Sequence, residues 1–405
     1  MGIVISIDAG TTGVRSIAFD EASTIVTSSY REFPQYFPQP GWVEHDANEI
    51  WDAVQATLAD VFAAVDEPIA AIGITDQRET VVVWDKVTGE PLHRALVWQD
   101  RRTSQRCTQL VEAGHLPLVR STTGLVLDPY FSASKLEWLI TEGHITVGAD
   151  TAFGTVDSWL VWKLTKGGEH LTDTTNASRT LLFDIDAMAW SDAMLDLFGI
   201  PASILPEVRP SSGRLGVTAD GLPIPSGIPI SGIAGDQQAA LFGQACFEPG
   251  AAKNTYGTGS FILMNVGQEL PAPVEGLLTT VGWTLGDGST TYAMEGAVFV
   301  TGAAIQWLRD GLGIIDEAAE VGPLAASVDS SDDVFVVPAF AGLGSPWWDA
   351  NARGTIIGIT RGTTRAHIAR ATVSRWLYKA ATSSTPWPRQ VESTCRVCGS
   401  MAGRR

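Results

Sequence analysis

The chain opens on a short apolar, β-branched run, Ile3-Val4-Ile5-Ser6-Ile7, which breaks at Asp8-Ala9-Gly10-Thr11-Thr12-Gly13 and resumes as Val14 to Phe19. A short apolar run bounded by turn residues reads as a buried strand. The pattern therefore predicts a hairpin closed by a Gly/Thr turn, rather than a strand feeding a helix. It recurs further on: Pro229 to Gly235, Asp236, a helix from Gln237 to Ala245, then Asn254-Thr255-Tyr256-Gly257-Thr258-Gly259 and an apolar strand from Phe261 to Met264. Two Gly/Thr hairpins, each near an aspartate, predict two related α/β domains facing one cleft.

Between the two hairpins the spacing is helical and extended by turns. Asp46 is placed to cap a helix whose Ile50, Val54, Leu58, Phe62 and Val65 fall on one face. Ile69 to Thr75 reads as another buried strand, and the alternation continues through Trp138 and Trp162, which predicts helices covering a mixed sheet. The Gly/Pro-rich stretch from Ile204 to Ile228 reads as a linker or an irregular edge. A length of 405 residues suits roughly two or three domains.

A net charge of -18 repels nucleic acid and anionic lipid, so a phosphate ligand has to be held by local donors or a metal. No basic segment with an apolar core opens the chain, and no apolar run approaches the ~20 residues of a membrane span. The expectation is a cytoplasmic protein without membrane insertion. Cys107 and Cys246 lie far apart and give no disulfide framework.

Phosphoryl transfer asks little covalent help from protein; it needs phosphates, a metal and an acceptor hydroxyl held in line. In Asp8-x-Gly10-Thr11-Thr12 the glycine admits close approach of backbone to phosphate, the hydroxyls and amides donate, and Asp8 can hold the waters of a Mg2+ ion. An ordinary hairpin turn is the plainer alternative. Thr258 offers the same donors from the second hairpin. No Lys follows these glycines as in a Walker A loop, and no helix starts there as in a dinucleotide fingerprint. Thr75-Asp76-Gln77-Arg78-Glu79-Thr80 sets polar residues at the end of a buried strand, where α/β sheets bind ligands, with a solvated loop as the alternative. Arg78 can donate to polyol hydroxyls and Glu79 can accept from them. Asp236, at another strand end, is the best candidate for general base, with a helix N-cap as its structural alternative.

With these, Trp98-Gln99-Asp100-x-Arg102, Tyr130-Phe131-Ser132-x-x-Lys135-Leu136-x-Trp138, Asn176-Ala177-Ser178-Arg179-Thr180 and Gly235-Asp236-Gln237-Gln238-Ala239-Ala240 occur in one order that resembles the FGGY family of carbohydrate kinases over residues 1 to about 372. The resemblance implies two actin-like (ribonuclease-H-like) ATPase domains around a central cleft: 1–245 for polyol and phosphate, and 252–372 for nucleotide. It implies transfer of the ATP γ-phosphoryl group to glycerol, giving sn-glycerol 3-phosphate. Another polyol or a pentulose is the rival acceptor, and an inactive polyol-binding remnant is the rival from another class. Arg78, Glu79, Tyr130, Asp236 and Gln237 then match glycerol contacts, with Trp98 and Phe261 as an apolar wall and Asp236 as the catalytic base. Thr11, Thr12, Gly13, Arg15, Thr258, Gly302 and Gln306 match nucleotide contacts, and Asp8 a Mg2+ site through water. Trp98 and Phe261 read equally as core aromatics, and Gln306 as an exposed helix residue. Glycerol and ATP are the partners implied, and a homo-oligomer is compatible. Two departures stand out: Ala9 replaces the family's usual Gln, and Gly13-Val14 replace two serines, so one hydroxyl donor to the phosphates is absent.

The resemblance stops where the family's second signature should continue, at Val373-Ser374. From residue 371 on, six Lys/Arg stand against the single Glu392, while the preceding residues carry -23. Trp, Pro, Ser and Arg follow no period there, and reading GC-rich codons from the third base restores an acidic residue and an Asp-Gly-Gly motif. Residues 373–405 are therefore expected to be an out-of-frame tail that leaves the second domain incomplete. On this reading Cys395-x-x-Cys398 is not half of a zinc site.

Overall fold

The computed structural model describes residues 2–257, 259–384 and 397–401. By compactness the chain divides into two units. One comprises Met1–Ala239, Gln268–Leu270 and Thr280–Tyr292; the other comprises Ala240–Gly267, Pro271–Thr279 and Ala293–Arg405.

The first unit is organised by a six-stranded mixed sheet. Its strands are β1 (Ile3–Ala9), β2 (Gly13–Phe19), β3 (Ile25–Glu32), β4 (Ile69–Asp76), β5 (Ser212–Val217) and β6 (Pro229–Gly235), in the spatial order β5-β6-β4-β1-β2-β3. The opening hairpin forms as expected, with β1 antiparallel to β2 and Gly10 N–H donating to Gly13 O at 3.0 Å. β1, β4 and β6 run parallel. The apolar residues of β1 alternate into the core: Ile3, Ile5, Ile7 and Ala9 are buried against helix α1 (Ala47–Ala63) and helix α2 (Val156–Leu164) through Ile50, Val54, Leu58, Trp159, Leu160 and Leu164. Each such Ile or Leu contributes about 1.5–3 kcal/mol by leaving water. Asp46 caps α1 by accepting from Asn48 N–H. Val65 lies beyond the helix end and packs on the core from the following loop.

Of the two readings of 204–228, linker or irregular edge, the structure has the edge. The stretch supplies β5, an edge strand antiparallel to β6 with a register shift between Ser212 and Gly216. Gly213 and Gly216, both at positive φ, loosen this strand enough to hide its period from sequence reading. Helix α3 runs over Asp236–Gly243, and Ala245 in the left-handed region, φ 54°, lies outside it.

A second sheet has the order Leu278–Thr284, Thr290–Val298, Ser260–Gly267, Ala252–Tyr256, Val397–Met401. Ala252–Tyr256 and Ser260–Gly267 form the second expected hairpin. Among the described residues the second unit holds apolar clusters around Met264 and Met294, around Leu308, and around Val336 with Ala371, the last two both packed by Ile368. Of the expected out-of-frame tail, residues 385–396, Cys395 included, and 402–405 lie outside the described residues. Described there are a helix, Arg365–Ser384, that continues past Thr372, and the strand Val397–Met401, parallel to Ala252–Tyr256. No helix among the described residues is long and apolar enough to cross a membrane.

Candidate active site

Three parallel strands end in one row. Ala9 of β1 pairs with Asp76 of β4, and Asp76 pairs with Gly235 of β6. The residues that follow each strand, Gly10-Thr11-Thr12, Gln77-Arg78-Glu79 and Asp236-Gln237, therefore emerge side by side at the carboxyl edge, where α/β sheets place ligands. Gln77 stitches two of them together: its N–H donates to Ala9 O at 2.8 Å and its Nε2 to Gly10 O at 3.1 Å.

Arg78 is the hub. It is buried; its Nη2 donates to Tyr130 Oη at 3.0 Å and its Nη1 to Gln238 Oε1 at 3.2 Å, while Nε lies 3.4 Å from Asp236 Oδ1 and 3.6 Å from Glu79 Oε1. Gly235 makes room for it, since a Cβ there would stand 2.6 Å from Arg78 Cγ. Glu79 sits at the apex of a three-residue turn closed by Thr80 N–H to Arg78 O at 2.7 Å, with φ 63°. This rare backbone form costs about 1–3 kcal/mol and persists only where its surroundings hold it. Here they do: Arg179 Nε donates to Glu79 Oε1 at 2.7 Å and Ser132 Oγ to Glu79 O at 2.9 Å.

The Asp236 carboxylate is 38% exposed, and its two oxygens accept from Gln237 N–H at 2.8 Å and Gln237 Nε2 at 3.0 Å. An N-cap would precede the helix and accept from its second or third amide; Asp236 is the first helical residue and accepts from the next one, so its side chain is turned to Arg78 and solvent instead. Trp98 stands edge-on to Tyr130 with ring centroids 5.7 Å apart, and its Nε1 donates to Thr11 Oγ1 at 3.0 Å, tying the aromatic wall to the Gly/Thr turn. Asp8, opposite Arg15 across the hairpin, has its carboxyl pushed up to about 6 by burial and by the charge of Asp236, with Arg15 opposing. Thr12 and Arg15 are exposed, and Gly13 and Ala9 are buried.

Of the remaining expected residues, Phe261, Gly302 and Gln306 belong to the second unit, and Thr258 lies outside the described residues. Gly302 N–H donates to Gly257 O at 2.9 Å, which brings the start of the helix Gly302–Gln306 against the second Gly/Thr turn. Phe261 is buried, and Gln306 is exposed, as its plainer reading had it. Sequence reasoning gave no role to several residues that shape the site. Arg179 stacks over the rings of Tyr130 and Phe131 at 5.6 and 5.3 Å and holds Glu79. Lys135 Nζ is buried and donates to Pro129, Tyr130 and Phe131 carbonyls, fixing the segment that carries Tyr130. Three further aspartates, Asp76, Asp157 and Asp173, are buried: Asn176 Nδ2 donates to Asp76 at 3.0 Å and Asp173 at 3.1 Å, and Asp157 accepts from Thr172 Oγ1 at 2.8 Å and from Asp173 N–H at 3.4 Å. Asp76, Lys135 and Arg179 did stand inside the motifs, which was the signal available. A cavity of about 400 Å³ lined by Lys86, Lys163, Lys166, Trp51 and Trp162 shares no residue with this site.

The arrangement joins a polyol-sized set of donors and acceptors, an exposed carboxylate and a Gly/Thr turn, which is the equipment of a sugar or polyol phosphotransferase. The family models agree: residues 3–243 match the N-terminal domain and 252–381 the C-terminal domain of the FGGY family of carbohydrate kinases. The chain belongs to the FGGY family, with its two-domain, actin-like (ribonuclease-H-like) α/β fold. It is 55% identical to the glycerol kinase of Bordetella parapertussis over 383 residues, 91% of this chain and 75% of that one. It is 51% identical to the glycerol kinase of Bacillus cereus, over 93% of this chain and 77% of the relative. Among solved structures it is similar to Plasmodium falciparum glycerol kinase with ADP, at 34% identity and a TM-score of 0.83, covering 95% of this chain and 79% of the other. A xylulose kinase from Lactobacillus acidophilus, at 23% identity and a TM-score of 0.82, shares the fold.

Proposed function

We propose that the chain is a glycerol kinase, transferring the ATP γ-phosphoryl group to a terminal hydroxyl of glycerol to give sn-glycerol 3-phosphate. The observation that carries this is the convergence on Arg78 of Tyr130, Glu79 and Asp236, from three separate segments of the chain. In this reading Arg78 and Tyr130 donate to glycerol oxygens, Glu79 and Gln237 hold its hydroxyls, and Trp98 and Phe261 cover its carbon chain. Asp236 takes the proton of the attacking hydroxyl as the phosphorus–oxygen bond forms, a role its exposed and anchored carboxylate suits. The bond between the γ-phosphorus and the bridging oxygen breaks as the new one forms, and the product nucleotide is ADP.

Thr11, Thr12, Gly13 and Arg15 are assigned to the polyphosphate, and Thr258, Gly302 and Gln306 to the nucleotide. Residues 1–245 thus serve the polyol and phosphates, and residues 252–372 the nucleotide. Among the described residues no three His, Cys, Asp or Glu side chains cluster as a metal cage. A Mg2+ ion would draw on phosphates and water, with Asp8 as the acid of the Gly/Thr turn that holds its waters. Such an ion supplies charge neutralisation at the phosphates. ATP use and the buried thiols of Cys107 and Cys246 favour the cytoplasm as the place of action.

The test is ADP release measured with glycerol, xylulose and a panel of other polyols at saturating ATP. The expected result is a kcat/KM for glycerol at least tenfold above any other acceptor. A better acceptor in the panel, or glycerol binding without turnover, overturns the assignment.

A further inference from the structure

Tyr30 has no part in the site as read so far. It stands on β3 opposite Arg15 of β2, which in turn stands opposite Asp8 of β1. Residues paired across neighbouring strands project to the same face of a sheet. Asp8, Arg15 and Tyr30 are thus one row on one face, the face away from the α1 core, since Ile3, Ile5, Ile7 and Ala9 take the other. The Arg15 guanidinium carbon lies 5.2 Å from the centroid of the Tyr30 ring.

From that row the phenol reaches the Gly/Thr turn. Its oxygen is 3.5 Å from Thr12 Oγ1, and only 2.7 Å from the point where a Cβ on Gly13 would stand, with the ring carbon Cε2 at 2.8 Å. The carbonyl of Arg31, 2.5 Å from the same point, closes that space from the backbone side. No side chain fits at position 13 while Tyr30 is there, so the hydroxyl next to Thr12 comes from β3. Tyr30 is 38% exposed, so the residue is not sealed from a ligand.

We infer that Tyr30 is a further phosphate contact of the nucleotide: its hydroxyl donates to a phosphate oxygen held by the Asp8–Gly13 turn, in the place of a side-chain hydroxyl that Gly13 does not supply. This rests on the reading that Thr11, Thr12 and Arg15 hold the ATP polyphosphate. The donor is neutral and sits between Thr12 and the fixed charge of Arg15, an arrangement that recognises the phosphate chain rather than the base.

Tyr30→Phe keeps the ring over Arg15 and removes only the hydroxyl. Steady-state kinetics of this variant, with direct binding of ATP, ADP and adenosine, test the inference. The expected result is a KM for ATP raised about tenfold, as for one hydrogen bond to a charged group, with weakened ADP binding, unchanged adenosine binding, unchanged KM for glycerol and an unchanged melting temperature. A KM for ATP within 1.5-fold (about the ~0.2 kcal/mol that RT ln 1.5 represents) of a wild type that saturates normally overturns it. A wild type that does not saturate with ATP removes the reading beneath it instead, and the two failures are distinguishable on the wild-type curve alone.

Discussion

Arg179 Nε lies 2.7 Å from Glu79 Oε1, and both side chains are sealed from solvent. The two residues are 100 positions apart in the chain. Their pairing holds a residue in a strained, left-handed turn at the centre of the proposed polyol site. A buried charge pair of this kind contributes little net stability, but breaking it strands the other charge, at a cost of about 3–5 kcal/mol. Its value here is geometric: it keeps the Glu79 carboxylate in one place.

Removing the cation should therefore damage acceptor binding selectively. For Arg179→Met the expected outcome is a KM for glycerol raised about tenfold or more, with the KM for ATP within twofold (about 0.4 kcal/mol). Arg179→Lys should recover part of the loss. Circular dichroism on each variant separates this from failure to fold, and equal damage to both KM values would contradict it.

Gly235 is constrained by contact rather than by its own turn. An added methyl would stand 2.6 Å from Arg78 Cγ and 2.8 Å from its Cδ, so Gly235→Ala must push the hub of the site aside. The expected result is a kcat/KM for glycerol lowered about tenfold to a hundredfold, following the steep dependence of rate on ångström-scale placement. Activity equal to wild type would show that Arg78 tolerates displacement.

The three buried aspartates make a pH prediction. Burial, then the charge of Asp173, pushes the Asp157 carboxyl up to about 7, and burial followed by the charge of Asp157 raises Asp76 well above its ordinary value. The folded state then retains protons that the unfolded chain has already lost above its ordinary value of 3.8. Stability from these carboxyls is present at low pH and is lost as pH rises through about 7. His45 and His170, whose pKa values burial lowers, act with the opposite sign below 6.5. The effect is therefore read as a difference: Asp157→Asn should gain stability relative to wild type between about pH 5 and pH 8 in urea melts. A flat difference would contradict the assignment.

What the sequence disclosed was local. The opening hairpin, the Asp46 cap and the strand end at Gly235 follow from neighbouring residues, so they were legible, and the strand read as ending at Thr75 runs one residue further, to Asp76. The β5 strand was not, because glycine at 213 and 216 removes the alternation that marks a strand. Asp236 reads as a cap or a base in one dimension; its approach to Arg78, 158 residues earlier in the sequence, supports the proposed base. Arg179 and Glu79, the aspartate cluster and the approach of Tyr30 to Gly13 exist only once the sheet has brought distant segments together. Motif resemblance carried the family, while the supporting cations lay inside the same motifs without a role.

The most direct test of the account is Asp236→Asn, assayed for phosphoryl transfer under single-turnover conditions and for glycerol binding by calorimetry. Loss of a positioned general base predicts a transfer rate lowered about a hundredfold to ten-thousandfold, with glycerol affinity within about fivefold (roughly 1 kcal/mol) of wild type, because Arg78, Glu79 and Tyr130 remain in place. A variant that keeps a tenth or more of the rate (less than about 1.4 kcal/mol of barrier) would contradict the assignment of Asp236 as the base and, with it, the reading of this site.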